Sequence, residues 1–131
     1  MFKSDVTFNN DSGVYISTKR QNDEETIQVG CNLKIDIQSM VISRNKQYGL
    51  FISSVALQYV RIAGCEISRN EFNNLHLIRV HNYQDRKYGV SMRDSEFESS
   101  RQGCGVYSKD SGVLLVNCSV KANFLGIHVL A

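Results

Sequence analysis

The chain has 131 residues, 42% of them apolar and 21% charged, with a formal net charge of +2. This is enough chain for one domain with a modest core, and the weak charge excludes the dense basic face of a nucleic-acid reader. No run approaches the ~20 apolar residues of a membrane span. The opening residues 1–6 lack the apolar centre of a secretion signal, so the chain is expected to stay in the cell that makes it or to be a piece of something longer. There is no proline, helical periodicity is lacking, and the wealth of Val, Ile, Tyr, Phe, Ser and Asn favours strands and turns.

In chain order, residues 4–9 (SDVTFN) read as the end of a strand unit closing on Asn9. Gly13 then opens the phrase GVYI, in which Val14 and Ile16 alternate with Tyr15. The charged residues 18–26 read as a solvated surface loop. Residues 35–45 (IDIQSMVISRN) alternate with period two up to Asn45, and residues 49–52 (GLFI) repeat the phrase. Residues 60–70 (VRIAGCEISRN) followed by 74–77 (NLHL) do so again. Residues 79–87 hold the most basic segment, and residues 80–88 (VHNYQDRKY) are the best loop for touching a ligand or partner. Residues 90–100 (VSMRDSEFESS), 105–108 (GVYS), 113–123 (VLLVNCSVKAN) and 126–129 (GIHV) complete the series.

In this register Val6, Ile42, Ile67, Phe97 and Val120 are equivalent, as are Asn9, Asn45, Asn70, Ser100 and Asn123. A unit this short cannot close its own sheet, but it can wind once and pair with the next turn about 4.8 Å above. The expected fold is all-β: a single-stranded right-handed parallel β-helix of four to five coils, one domain over residues 1–131, with the hand taken from the general preference for right-handed crossovers. Alternation sends Val14/Ile16, Leu50/Ile52, Leu75/Leu77 and Ile127/Val129 inward, and Val60/Ile62, Val90/Met92 and Val113/Leu115 into a second inward stack. The asparagines form a corner ladder. Cys31, Cys65, Cys104 and Cys118 show no metal-like spacing. Cys65 and Cys118 fall two coils, or roughly 9–10 Å, apart, beyond disulfide reach, and read as free thiols in the core.

The cadence I.I..C.IS.N....GI.I, carried by these units from about Val6 to Val129, resembles the parallel β-helix repeat of pectate-lyase-like proteins. That group includes polysaccharide lyases, glycoside hydrolases, alginate epimerases, phage tailspikes and non-enzymatic segments of eukaryotic adaptors. The resemblance implies a fold and leaves the activity open. Its catalytic signatures are missing: no Asn-Thr-Asp turn with paired Asp and His-Gly, no Asp-Pro-His-Asp stretch, and no acidic calcium cluster with a lyase Arg.

Two outward columns follow from the alternation. Tyr15, Phe51, His76, Tyr107 and His128 place a ring at every level, as a platform for sugar rings or as a self-stabilising stack. Asp5, Val41, Glu66, Glu96 and Ser119 form the other. Glu66 and Glu96 on neighbouring coils, with Asp94 at a turn, could split carboxyl pKa values for glycosidic cleavage, or could form a solvated edge relieved by Arg61, Arg69 and Arg93. His76, His81 and His128 do not converge on a metal, and no cofactor is expected. Two functions result. One is polysaccharide binding or processing as a hydrolase or lyase, tailspike-like, extracellular or virion-associated, with trimerisation through the walls. The other is a non-catalytic scaffold that stacks on neighbouring β-helix segments or another protein.

Overall fold

Short runs that alternate aliphatic and polar residues, with no proline to remove a ladder donor, form strands that pair on both edges. The structure, a computed structural model, describes residues 4–7, 9–17, 34–57, 59–82, 90–109 and 111–130. The described residues hold fourteen strands and no helix. Numbered along the chain, the first sheet stacks β1 (Ser4–Thr7), β4 (Met40–Ser43), β7 (Glu66–Ser68), β10 (Glu96–Glu98) and β13 (Ser119–Lys121). The second stacks β2 (Val14–Ser17), β5 (Leu50–Leu57), β8 (Leu75–Asn82), β11 (Cys104–Lys109) and β14 (Leu125–Leu130). The third stacks β3 (Lys34–Gln38), β6 (Tyr59–Ala63), β9 (Val90–Arg93) and β12 (Val113–Val116).

Every pairing is parallel, and each strand pairs with the strand three places later. The chain is therefore all-β with stacked parallel sheets, an arrangement compatible with a parallel β-helix. The register matches the repeat: Val6 pairs with Ile42, Ile42 with Ile67, Ile67 with Phe97 and Phe97 with Val120. Ile42, Ile67 and Phe97 are fully buried, as are Leu50, Leu75, Leu77, Val90, Met92 and Val106.

Two of the corners repeat one device. Ser39, Gly64, Asp94 and Asn117 all have φ between 50° and 63°, and all follow strands of the third sheet. Arg44, Arg69, Ser99 and Ala122 have φ between 55° and 58° and follow strands of the first. A single left-handed residue turns the chain, and its amide donates to a carbonyl one level on, as Gly64 N–H does to Arg93 O at 3.1 Å and Arg69 N–H to Glu98 O at 3.0 Å. The connection between the second and third sheets follows no such rule. It takes up residues 18–33, 58, 83–89 and 110–112 at successive levels.

The segment expected to project as a loop from Val80 begins as strand. β8 continues to Asn82, with Val80 opposite Val55 and fully buried, and His81 lies on the strand opposite Ala56. The cause is Arg79, whose φ of 53° shifts the alternation so that Leu77 and Val80 both point inward. The expected loop of residues 18–26, residues 83–88 of the second insertion, and Cys31 lie outside the described residues.

Candidate functional site

The second sheet brings the five rings into one column. Tyr15 pairs with Phe51, Phe51 with His76, His76 with Tyr107 and Tyr107 with His128. The first four stack face to face, with centroids 4.7, 4.9 and 4.6 Å apart and planes within 16° of parallel. His128 turns edge-on to Tyr107, at 5.5 Å and 86°. Strand spacing of ~4.8 Å is close to ring-stacking distance, so a ring at each level needs no adjustment of the ladder.

His76 is more enclosed than its outward parity suggests, with 9% of its surface exposed. Tyr48, from the corner before β5, lies 4.5 Å from it and also touches Phe51 and Phe72. The Cys104 amide donates to Asn73 Oδ1 at 2.6 Å, which turns Asn73 Nδ2 toward His76 Nδ1 at 2.7 Å. The Asn73 amide therefore donates and Nδ1 accepts, so the imidazole is neutral with its proton on Nε2. Desolvation by burial lowers the His76 pKa to about 4. Tyr48 and Asn73 escaped the sequence reading because neither recurs at equivalent positions of the other units.

The carboxylates lie on the first sheet and its preceding corner. Glu66 on β7 and Glu96 on β10 are register partners on adjacent levels. Glu66 is half-buried, with Ser68 Oγ 3.5 Å from its Oε1, and Glu96 is exposed. Asp94 occupies the left-handed corner two residues earlier and accepts a 2.6 Å hydrogen bond from Asn117 Nδ2. Ring and carboxylate columns thus belong to different sheets, on either side of the asparagine corner.

That corner is a continuous amide relay. Asn9 Nδ2 donates to Asn45 Oδ1 at 2.9 Å, Asn45 to Asn70 at 2.9 Å, Asn70 to Asn74 at 2.9 Å and Asn74 to Asn123 at 3.0 Å. Ser100, expected as the fourth rung, contributes its amide to Asn123 Oδ1 at 2.8 Å and turns its hydroxyl to Gly103 O at 2.6 Å. Asn74, from the glycine position of the level below, supplies the missing carboxamide.

Cys65, Cys104 and Cys118 are free thiols, the first two buried and the third half-buried. Cys65 Sγ donates to Ala63 O and Cys118 Sγ to Val116 O, as Ser95 Oγ does to Arg93 O at the intervening level. Their use is local hydrogen bonding at a corner, and burial pushes the Cys104 thiol pKa up, away from nucleophilic chemistry. Among the described residues no three His, Cys, Asp or Glu side chains converge on a metal position. No protein-family model matches the chain, and neither does any curated protein or solved structure.

Proposed function

We propose that the chain is a right-handed parallel β-helix of five coils, pectate-lyase-like in cadence, and that it serves as a non-catalytic scaffold for stacking on a neighbouring β-helical segment. The three-strand pairing interval and the two repeated left-handed corners support the winding, and right-handed crossovers are the general rule. The observation that carries the scaffold reading is the ring column. A sugar platform needs open aromatic faces, whereas those of Phe51 and His76 are covered on both sides by stacked neighbours. The rings spend their faces on holding the levels together.

A second reading keeps the wall as a polysaccharide-binding or polysaccharide-cleaving surface. It is favoured by Tyr15, a residue 61% exposed at the end of the column, and by the adjacent Glu66 and Glu96. One experiment separates the two: a broad glycan panel incubated with the wild-type chain, Tyr107→Ala, and the Glu66→Gln/Glu96→Gln double variant. The scaffold reading expects neither retention nor cleavage, with a lower melting temperature for Tyr107→Ala. Glycan affinity lost in Tyr107→Ala at unchanged melting, or cleavage lost in the double variant, would overturn it in favour of the wall.

A further inference from the structure

His76 is bonded in a way that suits only its neutral form, and the bond sits on a joint between two levels. Its Nδ1 accepts from Asn73 Nδ2 at 2.7 Å, and Asn73 Oδ1 accepts from the Cys104 amide of the next level at 2.6 Å. That backbone donor fixes which way the Asn73 carboxamide faces. The carboxamide cannot accept a proton from Nδ1 without turning its own amino group onto the Cys104 N–H. Nor can it swing clear, because Gly103 lies flat on the same corner. An added Cβ there would overlap Asn73 Oδ1, the Asn73 backbone nitrogen and the Phe72 carbonyl carbon.

The groups that face His76 are Phe51 of β5, Tyr107 of β11, Tyr48 from the corner before β5, and Asn73. None of them offers a negative charge in acid, and the nearby Cys104 thiol is neutral, its pKa pushed up by burial. Desolvation without a compensating anion lowers the His76 pKa to about 4.

The segment that must yield to a charged His76 is residues 101–104, which rests on residues 70–73. Arg101 N–H donates to Asn70 O at 3.0 Å and Gln102 N–H to Glu71 O at 2.9 Å. The Glu71 carboxylate takes Gln102 Nε2 at 2.7 Å and Arg101 Nη1 at 3.6 Å. Arg101 and Gln102 are exposed, whereas Gly103 and Cys104 are buried. Lifting one such corner exposes far less apolar surface than unfolding the stack, and local openings draw on segments of this kind.

We infer that residues 101–104 form an acid-released latch: proton uptake by His76 breaks the bond between Asn73 and the Cys104 amide, lifts this corner from the level below, and uncovers the Cys104 thiol while the aliphatic core stays packed. An opening that returns His76 to its ordinary pKa of 6.5 is favoured about 100-fold more at pH 4 than at pH 7 by proton linkage alone. The latch is independent of what the wall binds.

The test is pulsed labelling of the full chain with a dipyridyl disulfide, which reacts with thiols in acid, from pH 7 to pH 4. Peptide mass spectrometry resolves each cysteine, and rates are divided by those of free cysteine at the same pH. Cys65, buried in the core, reports global unfolding. Cys104 labelling is expected to rise about 100-fold over this range and to outpace Cys65 throughout. Glu71→Gln should keep the rise, since Glu71 ties the corner without touching His76. His76→Phe should abolish it, and so should Asn73→Asp, whose carboxylate can accept from the Cys104 amide and from a proton on Nδ1 together. A Cys104 rate that is flat with pH or equal to that of Cys65 would overturn the inference. So would a rise that survives His76→Phe or Asn73→Asp, or one lost in Glu71→Gln. Should His76→Phe misfold, His76→Gln, which keeps an acceptor for Asn73 and does not titrate, takes its place.

Discussion

Protonating His76 would set an N–H against the Asn73 N–H that now reaches its Nδ1, and would place a charge between two stacked rings. The unfolded chain takes up that proton near pH 6.5, the folded chain only near pH 4. Between those values the unfolded state binds more protons, so stability falls as pH drops through the window and is fully present above it. Urea midpoints measured from pH 7 to 4 should decline for the wild type, with a flatter profile for His76→Phe, which keeps a ring in the column and removes the titrating group. An unchanged slope in His76→Phe would assign the acid sensitivity elsewhere. Parity in the sequence put His76 in the right column but on an open surface. Its enclosure comes from Tyr48 and Asn73, which hold the same corner position on successive levels but differ in residue type, so no periodic signal marked them.

At the scale of the element, the asparagine relay shows a compensated exchange. Three levels pair a glycine with the next level's asparagine: Gly13 with Asn45, Gly49 with Asn70 and Gly105 with Asn123. The remaining level has Asn74 where the glycine belongs and Ser100 where the asparagine belongs. One carboxamide fills the corner in either arrangement, donated from above or from below. Ser100→Asn alone should overpack the corner and cost about 1–3 kcal/mol. Asn74→Gly alone removes one hydrogen bond from each of the Asn70 and Asn123 carboxamides, which keep Ile42 O and the Ser100 amide as partners, a loss of about 0.5–1.5 kcal/mol for each bond. The double variant restores the pattern of the other levels, so chemical denaturation should recover most of both losses, with coupling of about 0.5–3 kcal/mol. Additive losses would mean that the two sites do not share one space. The repeat made both positions visible in the sequence. What stayed hidden was that the two departures from the pattern belong together, since that requires knowing how far a side chain reaches along the stack.

Taken whole, the molecule is a one-dimensional stack in which each level is supported chiefly by its two neighbours. Middle levels are covered on both sides and end levels on one, as the burial of Phe97 beside the half-burial of Val6 and Val120 shows. Hydrogen exchange should therefore be slowest in β5–β10 and fastest in β1 and β14. Phe97→Ala should cost about 3–5 kcal/mol, and Val120→Ala distinctly less. Uniform protection from end to end in a monomeric sample would contradict this. The period of two, the Asn corners and the equivalence of Ile42, Ile67 and Phe97 made this architecture legible before any coordinates, because strand stacking converts sequence similarity directly into vertical neighbourhood. The continuation of β8 was not legible, since one left-handed residue at Arg79 breaks the alternation on which that reading depends.

The uneven third corner has a consequence of its own. Two edges of the stack are turned by a left-handed residue at each level, one of them with the same spacing from Ile37 to Ile42, Ile62 to Ile67 and Met92 to Phe97, the other with connections of three to six residues. The remaining edge is joined by anything from one residue, at position 58, to the sixteen between Ser17 and Lys34, and lengthening a chain connection costs little, about 0.6 kcal/mol for each doubling. Diversity can thus accumulate along a single seam while the spool beneath keeps its pitch. Foreign peptides grafted there would line up in single file, spaced by the rise of the winding, like pegs along a rail.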